Sequence, residues 1–282
     1  MLLRTNQTAS QMLLRTNRMF ARRACNAAAR ALVHEVAPRD GLQNEAAVLS
    51  TSVKLELIRR LVASSPSSVE VTSFVRADVI PALADADELC AALWQQDWAV
   101  DARDRGMSFA GLVLNQRGFE RFARAQLDTA TVIISCTESH SKANSNKGFR
   151  DALELTCKMI ETGAAEGITM RGYASMAFGC PFETVTDPAR VQDAVVAMIE
   201  AGASTIILAD TIGVGYPSQV RTLGEAALRV VPAERLGLHM HDTYGRAVEN
   251  CIEGTRAPTS TNRRKCAASR EMMGTRVNVT RG

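Results

Sequence analysis

STIILADTIGVGYPSQVRTLGEAALRVVPAERLGLHMHD, residues 204–242, contains one complete strand–helix–strand unit. STIILADT (204–211) and RLGLHMHD (235–242) are short apolar runs that end in polar residues. Residues 217–230 between them have helical length and stop before Pro232. A strand, a crossover helix and a second strand in that order predict a parallel pair covered by helix. The same step recurs along the chain. ALVHEV (31–36), SSVEVTSF (67–74), FAGLVLN (109–115), TATVIISC (129–136) and GITMRGYASMAF (167–178) read as the earlier strands. Helices are expected over 51–64, 81–96, 118–126, 147–164 (closed by Gly163) and 187–201 (ended by Gly202). In the first of these, Val53, Leu57, Leu61 and Val62 mark the apolar face. Seven β/α steps predict an α/β fold of the TIM (β/α)8 barrel type, lacking its eighth strand and C-terminal helices. An open α/β sheet is the alternative, because seven strands need not close. No GxGxxG follows the first strand, which argues against a dinucleotide-binding unit.

In a barrel the C-terminal ends of the strands meet at one face, and the active site forms there. The polar residues at those ends are Arg39 and Asp40, Glu70, Glu138 to His140, Asp210 and Thr211, and His239 to Asp242. His239 and His241 are two of only four histidines. On a strand, residues i and i+2 share a face, so the two imidazoles make half of a divalent-metal site. Asp40 adds a carboxylate, and nitrogen and oxygen donors of this kind suit Mg²⁺, Mn²⁺, Co²⁺ or Zn²⁺. The alternative is a pair of hydrogen-bonded core histidines. Arg39 supplies a permanently charged fork. Glu70, flanked by valines, either points into the barrel mouth or pairs with Arg39. His140 and Lys142 in TESHSKANSN read as part of a polar loop. GCPFE (179–183) reads as a turn, with Cys180 a small buried group.

Composition narrows the function classes. Residues 1–34 hold six arginines and no acid, and residues 248–282 hold seven basic and three acidic groups. With a net charge of +3 overall, residues 35–247 are left at −7. An acidic body argues against nucleic acid as a partner. No run approaches the ~18 apolar residues that a membrane helix needs. Seven scattered cysteines without a CxxC speak against a disulfide framework and against a structural zinc site. The arginine-rich, acid-free start has the composition of a mitochondrial transit peptide, so residues 1–30 are expected to be a targeting segment leading to the matrix.

Six strings in order carry a resemblance: EVAPRDGLQNE (35–45), VEVTSFV (69–75), ESHSKANSN (138–146), GCPFE (179–183), LADTIGVGYP (208–217) and HMHDTYGRA (239–247). Together they resemble 3-hydroxy-3-methylglutaryl-CoA lyase, one of the metallolyase barrels that also include isopropylmalate and homocitrate synthases. The resemblance implies a pyruvate-carboxyltransferase-like catalytic barrel over 31–247 and cleavage of 3-hydroxy-3-methylglutaryl-CoA to acetyl-CoA and acetoacetate. That is the chemistry of leucine degradation and ketone-body formation. It implies Asp40, His239 and His241 as ligands of Mg²⁺ or Mn²⁺, and Arg39, Asp40, Glu70 and His239 as catalytic residues. Arg39 would meet the enolate and His239 would handle protons. Arg39, Gln43, Asp210 and Thr211 would contact an acyl-CoA substrate, in a homodimer without nucleic acid or membrane partners. A related acyltransferase acting on 2-oxo acids and a non-catalytic remnant that binds CoA esters are the other readings.

After Ala247 the family pattern breaks off. Residues 248–282 show no glycine-rich loop with a catalytic cysteine and no matching asparagine ligand. They are expected to form a disordered basic tail, as after a shifted reading frame or altered splice. An unclosed barrel exposes the edges of its first and last strands, so poor stability and weak activity are expected.

Overall fold

The computed structural model describes residues 31–256. The targeting segment expected over 1–30 and residues 257–282 of the basic tail lie outside the described residues. Seven strands form one parallel sheet in sequential order: β1 (His34–Glu35), β2 (Ser68–Ser73), β3 (Ser108–Leu112), β4 (Thr129–Ser135), β5 (Thr169–Ser175), β6 (Thr205–Asp210) and β7 (Leu236–Met240). The helices between them are α1 (Thr51–Ala63), α2 (Ala86–Leu93), α3 (Asp97–Asp104), α4 (Gln116–Ala125), α5 (Glu138–Ser145), α6 (Phe149–Ala165), α7 (Pro188–Glu200), α8 (Pro217–Ala227) and, after β7, α9 (Ala247–Arg256). None of the described helices is long and apolar enough to cross a membrane.

One distance decides between a curled and an open sheet. Six inter-strand spacings of about 4.8 Å would put β1 and β7 roughly 29 Å apart in a flat sheet. Yet Asp40, just beyond β1, lies 3.0 Å from His241, just beyond β7. The sheet therefore curls until its two outer strands meet at their C-terminal ends. This is the barrel layout, and among the described residues no eighth strand joins β7 to β1.

Strand alternation sorts the side chains. Val69 and Val71 of β2, Val132 and Ile134 of β4, and Ile206 and Leu208 of β6 lie in the core under the helices. Tyr173, Ile207 and Ala209 point the other way and form a small separate cluster. The remaining inward positions include His34, Glu70, Thr131, Arg171 and His239, so the interior of this barrel is largely polar.

Local chemistry sets the helix ends. Asn115 caps α4 through Gly118 N–H at 2.9 Å, and Asp187 caps α7 through Ala189 N–H at 2.9 Å with Pro188 in the first turn. Several boundaries differ from the sequence reading. Gly163 lies inside α6 instead of ending it, because a Cβ there would sit 2.3 Å from Met170 Sδ. Gly167, at φ +77°, is the residue that lets the chain leave the helix. Residues 81–96, expected as one helix, divide into a 3₁₀ turn at Pro81–Leu83 and α2. The loop expected around His140 and Lys142 is helical, with Glu138 and Lys142 paired one turn apart at 3.1 Å. In α1 Val53 is exposed, and the buried stripe is Lys54, Ile58 and Val62. Lys54 qualifies because its stem is buried while its ammonium bonds Ala82 O at 2.6 Å and pairs with Asp85.

The expected break at Ala247 is also corrected. Residues 247–256 form α9, which buries Ala247, Asn250, Cys251 and Glu253. Asn250 donates to Gly215 O at 3.0 Å, and Arg221 donates to Glu253 at 2.7 Å. The helix escaped notice because its inward face is mostly small or polar. Gly254 makes the close approach to β7 possible, since a Cβ there would lie 2.2 Å from Leu238 Cδ1. Gly254→Val is expected to cost about 1–3 kcal/mol by overpacking. Urea denaturation measures this, and an unchanged midpoint would show that α9 does not rest on the barrel.

Candidate metal centre

Asp40 leaves β1 through a one-turn π-helix, Ala37–Gly41, in which Asp40 N–H bonds Val36 O at 2.8 Å. Such turns recur at functional sites because they re-aim side chains. His239 is the fourth residue of β7, and His241 follows the strand. Asp40 Oδ2 lies 3.0 Å from His241 Nε2 and 3.4 Å from His239 Nε2, and the two imidazole nitrogens are 3.0 Å apart. These three donor atoms all lie within 4.8 Å of one another.

The protons on these rings show what the arrangement suits. His241 Nδ1 lies 2.6 Å from Thr211 O, which can only accept, so the proton sits on Nδ1. His241 Nε2 then turns a lone pair toward the Asp40 carboxylate and His239 Nε2. His239 Nδ1 is buried and has no hydrogen-bond partner. Two imidazoles and a carboxylate brought together in this way are the donor set of a divalent-cation site.

Arg39 stands directly behind Asp40 and is 3% exposed. Its Nε donates to Glu70 Oε1 at 2.5 Å, and its Nη1 donates to Asp40 Oδ1 at 2.5 Å and to Gln43 Oε1 at 3.3 Å. Among the described residues no acceptor meets Nη2, which stays free for a ligand. Glu70 is fully buried and also accepts from Thr131 Oγ1 at 2.6 Å. It therefore pairs with Arg39 instead of opening into the mouth.

Burial raises the Asp40 carboxyl, but Arg39 and the two imidazoles outweigh it and hold the group well below the usual carboxylate range. Glu70 behaves likewise: burial opposes its charge, and Arg39, His34 and Thr131 more than restore it. The histidines diverge. Burial lowers His239, whereas for the less buried His241 the bonds to Asp40 and Thr211 overcome burial and raise it.

The other sequence-derived positions play different parts. The Asp210 carboxylate turns to its own loop, accepting from Val214 N–H at 3.1 Å and Gly215 N–H at 2.8 Å, and burial raises its pKa. Thr211 Oγ1 accepts from Met176 N–H at 3.0 Å while its carbonyl fixes His241. Cys180 is 2% exposed and accepts from Thr137 Oγ1 at 3.1 Å. Sequence reasoning missed His34, Thr131, Arg171 and Tyr173. The signal was present: parallel strands buried on both faces read as continuous apolar runs, so a polar residue within one marks the barrel interior.

A family model described as HMGL-like matches residues 31–260. The chain belongs to the HMGL-like family. Hydroxymethylglutaryl-CoA lyase YngG of Bacillus subtilis is 37% identical over 220 residues, covering 78% of this chain and 71% of that protein. The mitochondrial hydroxymethylglutaryl-CoA lyase of Arabidopsis thaliana is 40% identical over 219 residues, but the chain spans only 45% of its length. Among solved structures, the B. subtilis HMG-CoA lyase superposes with a TM-score of 0.77 at 33% identity, covering 85% of this chain and 76% of that one. An HMG-CoA lyase from Acinetobacter baumannii, solved with coenzyme A and 3-methylmalate, gives 0.76 at 28% identity, covering 86% and 75%. The family match runs 13 residues past Ala247 and takes in α9.

His34 gives the HMGL-like barrel a pH-dependent stability. Burial, then the Arg171 charge, lowers its pKa to about 4 from the ordinary 6.5. The unfolded chain thus binds a proton that the folded protein refuses between these values. Stability is complete above about pH 6.5 and is lost as pH falls toward 4, by about 3 kcal/mol at most. Chemical denaturation at pH 7 and pH 5 measures the loss. His34→Gln removes the titrating group and should flatten the profile, and an equal slope in that variant would rule His34 out as its source.

Proposed function

We propose that the chain is a metal-dependent carbon–carbon lyase acting on 3-hydroxy-3-methylglutaryl-CoA. The observation that carries this reading is the convergence of Asp40, His239 and His241 beside an arginine with a free Nη2. The names of the family relatives supply the substrate. In the reaction the C3 hydroxyl loses its proton and the C2–C3 bond breaks. One fragment leaves as acetoacetate and the other as the enolate of acetyl-CoA, which takes a proton at C2.

Asp40, His239 and His241 hold a divalent cation, Mg²⁺ or Mn²⁺, which when bound supplies Lewis-acid polarisation of substrate oxygens. Ligation and proton transfer compete for His239 Nε2, and the convergence of the three donors favours ligation. Arg39 meets the charge that develops on the thioester oxygen, through an Nη2 that no acceptor among the described residues occupies. Gln43 and Glu70 hold the guanidinium. Asp210 and Thr211 serve the substrate indirectly, by fixing the 211–215 loop and the His241 ring. The acyl-CoA substrate is supported by the relative solved with coenzyme A. A matrix location is supported by the acid-free arginine-rich start and by the relatives named as mitochondrial. We also propose a homodimer, which rests on the family resemblance alone.

An acetoacetate-release assay tests the reading. The chain with Mg²⁺ or Mn²⁺ is expected to cleave 3-hydroxy-3-methylglutaryl-CoA, and chelation is expected to abolish turnover. Asp40→Asn should lower kcat/KM at least about 100-fold. Condensation of acetyl-CoA with a 2-oxo acid, in place of cleavage, would favour the acyltransferase reading and end this one.

A further inference from the structure

α9 completes a closed circuit of contacts around His241. Ala247 N–H, at the start of the helix, donates to Asp242 Oδ1 at 2.9 Å, and Asp242 follows His241 in the chain. One turn on, Asn250 Nδ2 donates to Gly215 O at 3.0 Å. The 211–215 loop closes the circuit. Its far end is tied inward, where Gly215 N–H and Val214 N–H donate to the Asp210 carboxylate at 2.8 and 3.1 Å. Its near end meets the histidine. The Thr211 carbonyl lies 2.6 Å from His241 Nδ1, and Asp210 O accepts from His241 N–H at 3.3 Å. The loop also lies against residues 241–243. A Cβ at Gly213 (φ +72°) would sit 2.9 Å from His241 O and 2.6 Å from Thr243 Oγ1.

Asn250 is the side chain that joins α9 to this loop. It is 1% exposed, and among the described residues no other donor meets Gly215 O. A carbonyl only accepts, so its partner decides the amide orientation: Nδ2 faces Gly215 and Oδ1 turns away. Oδ1 is buried there without a hydrogen-bond partner. An unmet carbonyl in the core costs stability, so packing alone does not account for an amide at this position. Its donor does, by setting where the outer end of the loop stands.

The consequence falls on the His241 imidazole. The bond at one imidazole nitrogen decides which nitrogen carries the proton. In a neutral imidazole, a proton on Nδ1 leaves the Nε2 lone pair for a cation. Thr211 O selects this form, and its reach to Nδ1 depends on how the loop lies against residues 241–243. We propose that Asn250 is a positioning residue for the metal centre: by holding Gly215 it seats the loop, and the Thr211 carbonyl then keeps His241 in the ligating tautomer. The inference deepens the lyase reading and rests on it only for the effect on metal binding.

Two-bond ¹H–¹⁵N correlation NMR of the full ¹⁵N-histidine-labelled chain, free of metal and with its imidazoles neutral, reads the tautomer directly. The His241 signals are those lost in His241→Gln. In the parent, Nδ1 should carry the proton. Asn250→Leu, close in volume but without a donor, should lower the ratio of Nδ1–H to Nε2–H about fivefold, the loss of one buried hydrogen bond. Asn250→Ala is read in its place if that variant does not fold. Titration with Mn²⁺ alone, followed by EPR, should show the same variant binding about tenfold more weakly, as when a ligand loses its supporting hydrogen bond. Arg221→Met is the control. It removes the 2.7 Å bond from Arg221 to Glu253, a tie of α9 outside the circuit, and both readouts should stay within about twofold of the parent. Equal changes in the Asn250 and Arg221 variants would mean that α9 acts by packing alone and would overturn the proposal. An unchanged tautomer ratio in the Asn250 variant overturns it too, as does failure of both Asn250 variants to fold. A parent that binds no Mn²⁺ yet shows the expected tautomer shift would sink the metal-dependent lyase reading and leave the positioning role standing.

Discussion

The contact between Asp40 and the two histidines of β7 is the constraint on which the rest of the structure depends. It joins the first and last strands of the sheet, 201 residues apart in sequence. Among the described residues no strand pairing bridges that seam, so side chains at the mouth bring the two edges together. Fold and site are thus one problem. A sheet that failed to curl would leave Asp40 far from His239 and His241, and a site without its three donors would remove the contact that spans the seam.

Charge explains why the groups cluster without mutual neutralisation. Asp40 and Glu70 are held ionised, and Arg39 supplies one positive charge between them. The three together carry one net negative charge beside two imidazoles, an environment that favours a divalent cation over an anion. Burying such charges is costly unless every one is paired. The pairing is met on one side by the Arg39 fork and on the other by the Thr131 hydroxyl. The interior of this barrel is therefore a polar scaffold for one guanidinium, while the apolar core lies outside the sheet under the helices.

Much of this was legible in the sequence because the outward-facing strand residues are apolar and each run ends in polar residues. That pattern locates all seven strands to within a few residues. It also puts Asp40, His239 and His241 at strand ends that a barrel brings together. What stayed hidden has physical reasons. α9 shows the core a mostly small or polar face, so its periodicity is weak. α1 buries Lys54, which a hydrophobic pattern counts as exposed. His34, Thr131 and Arg171 find their partners on other strands, and no linear spacing reveals those partners. Asp210 looked like a pocket residue because it ends a strand, yet its carboxylate turns to the backbone of its own loop.

Electron spin-echo spectroscopy of Mn²⁺ bound to the full-length chain tests the central claim most directly. The account predicts one bound ion with ¹⁴N modulation from two imidazoles, reduced to one in His241→Ala. Bound Mn²⁺ without imidazole modulation, or modulation unchanged in that variant, would contradict it.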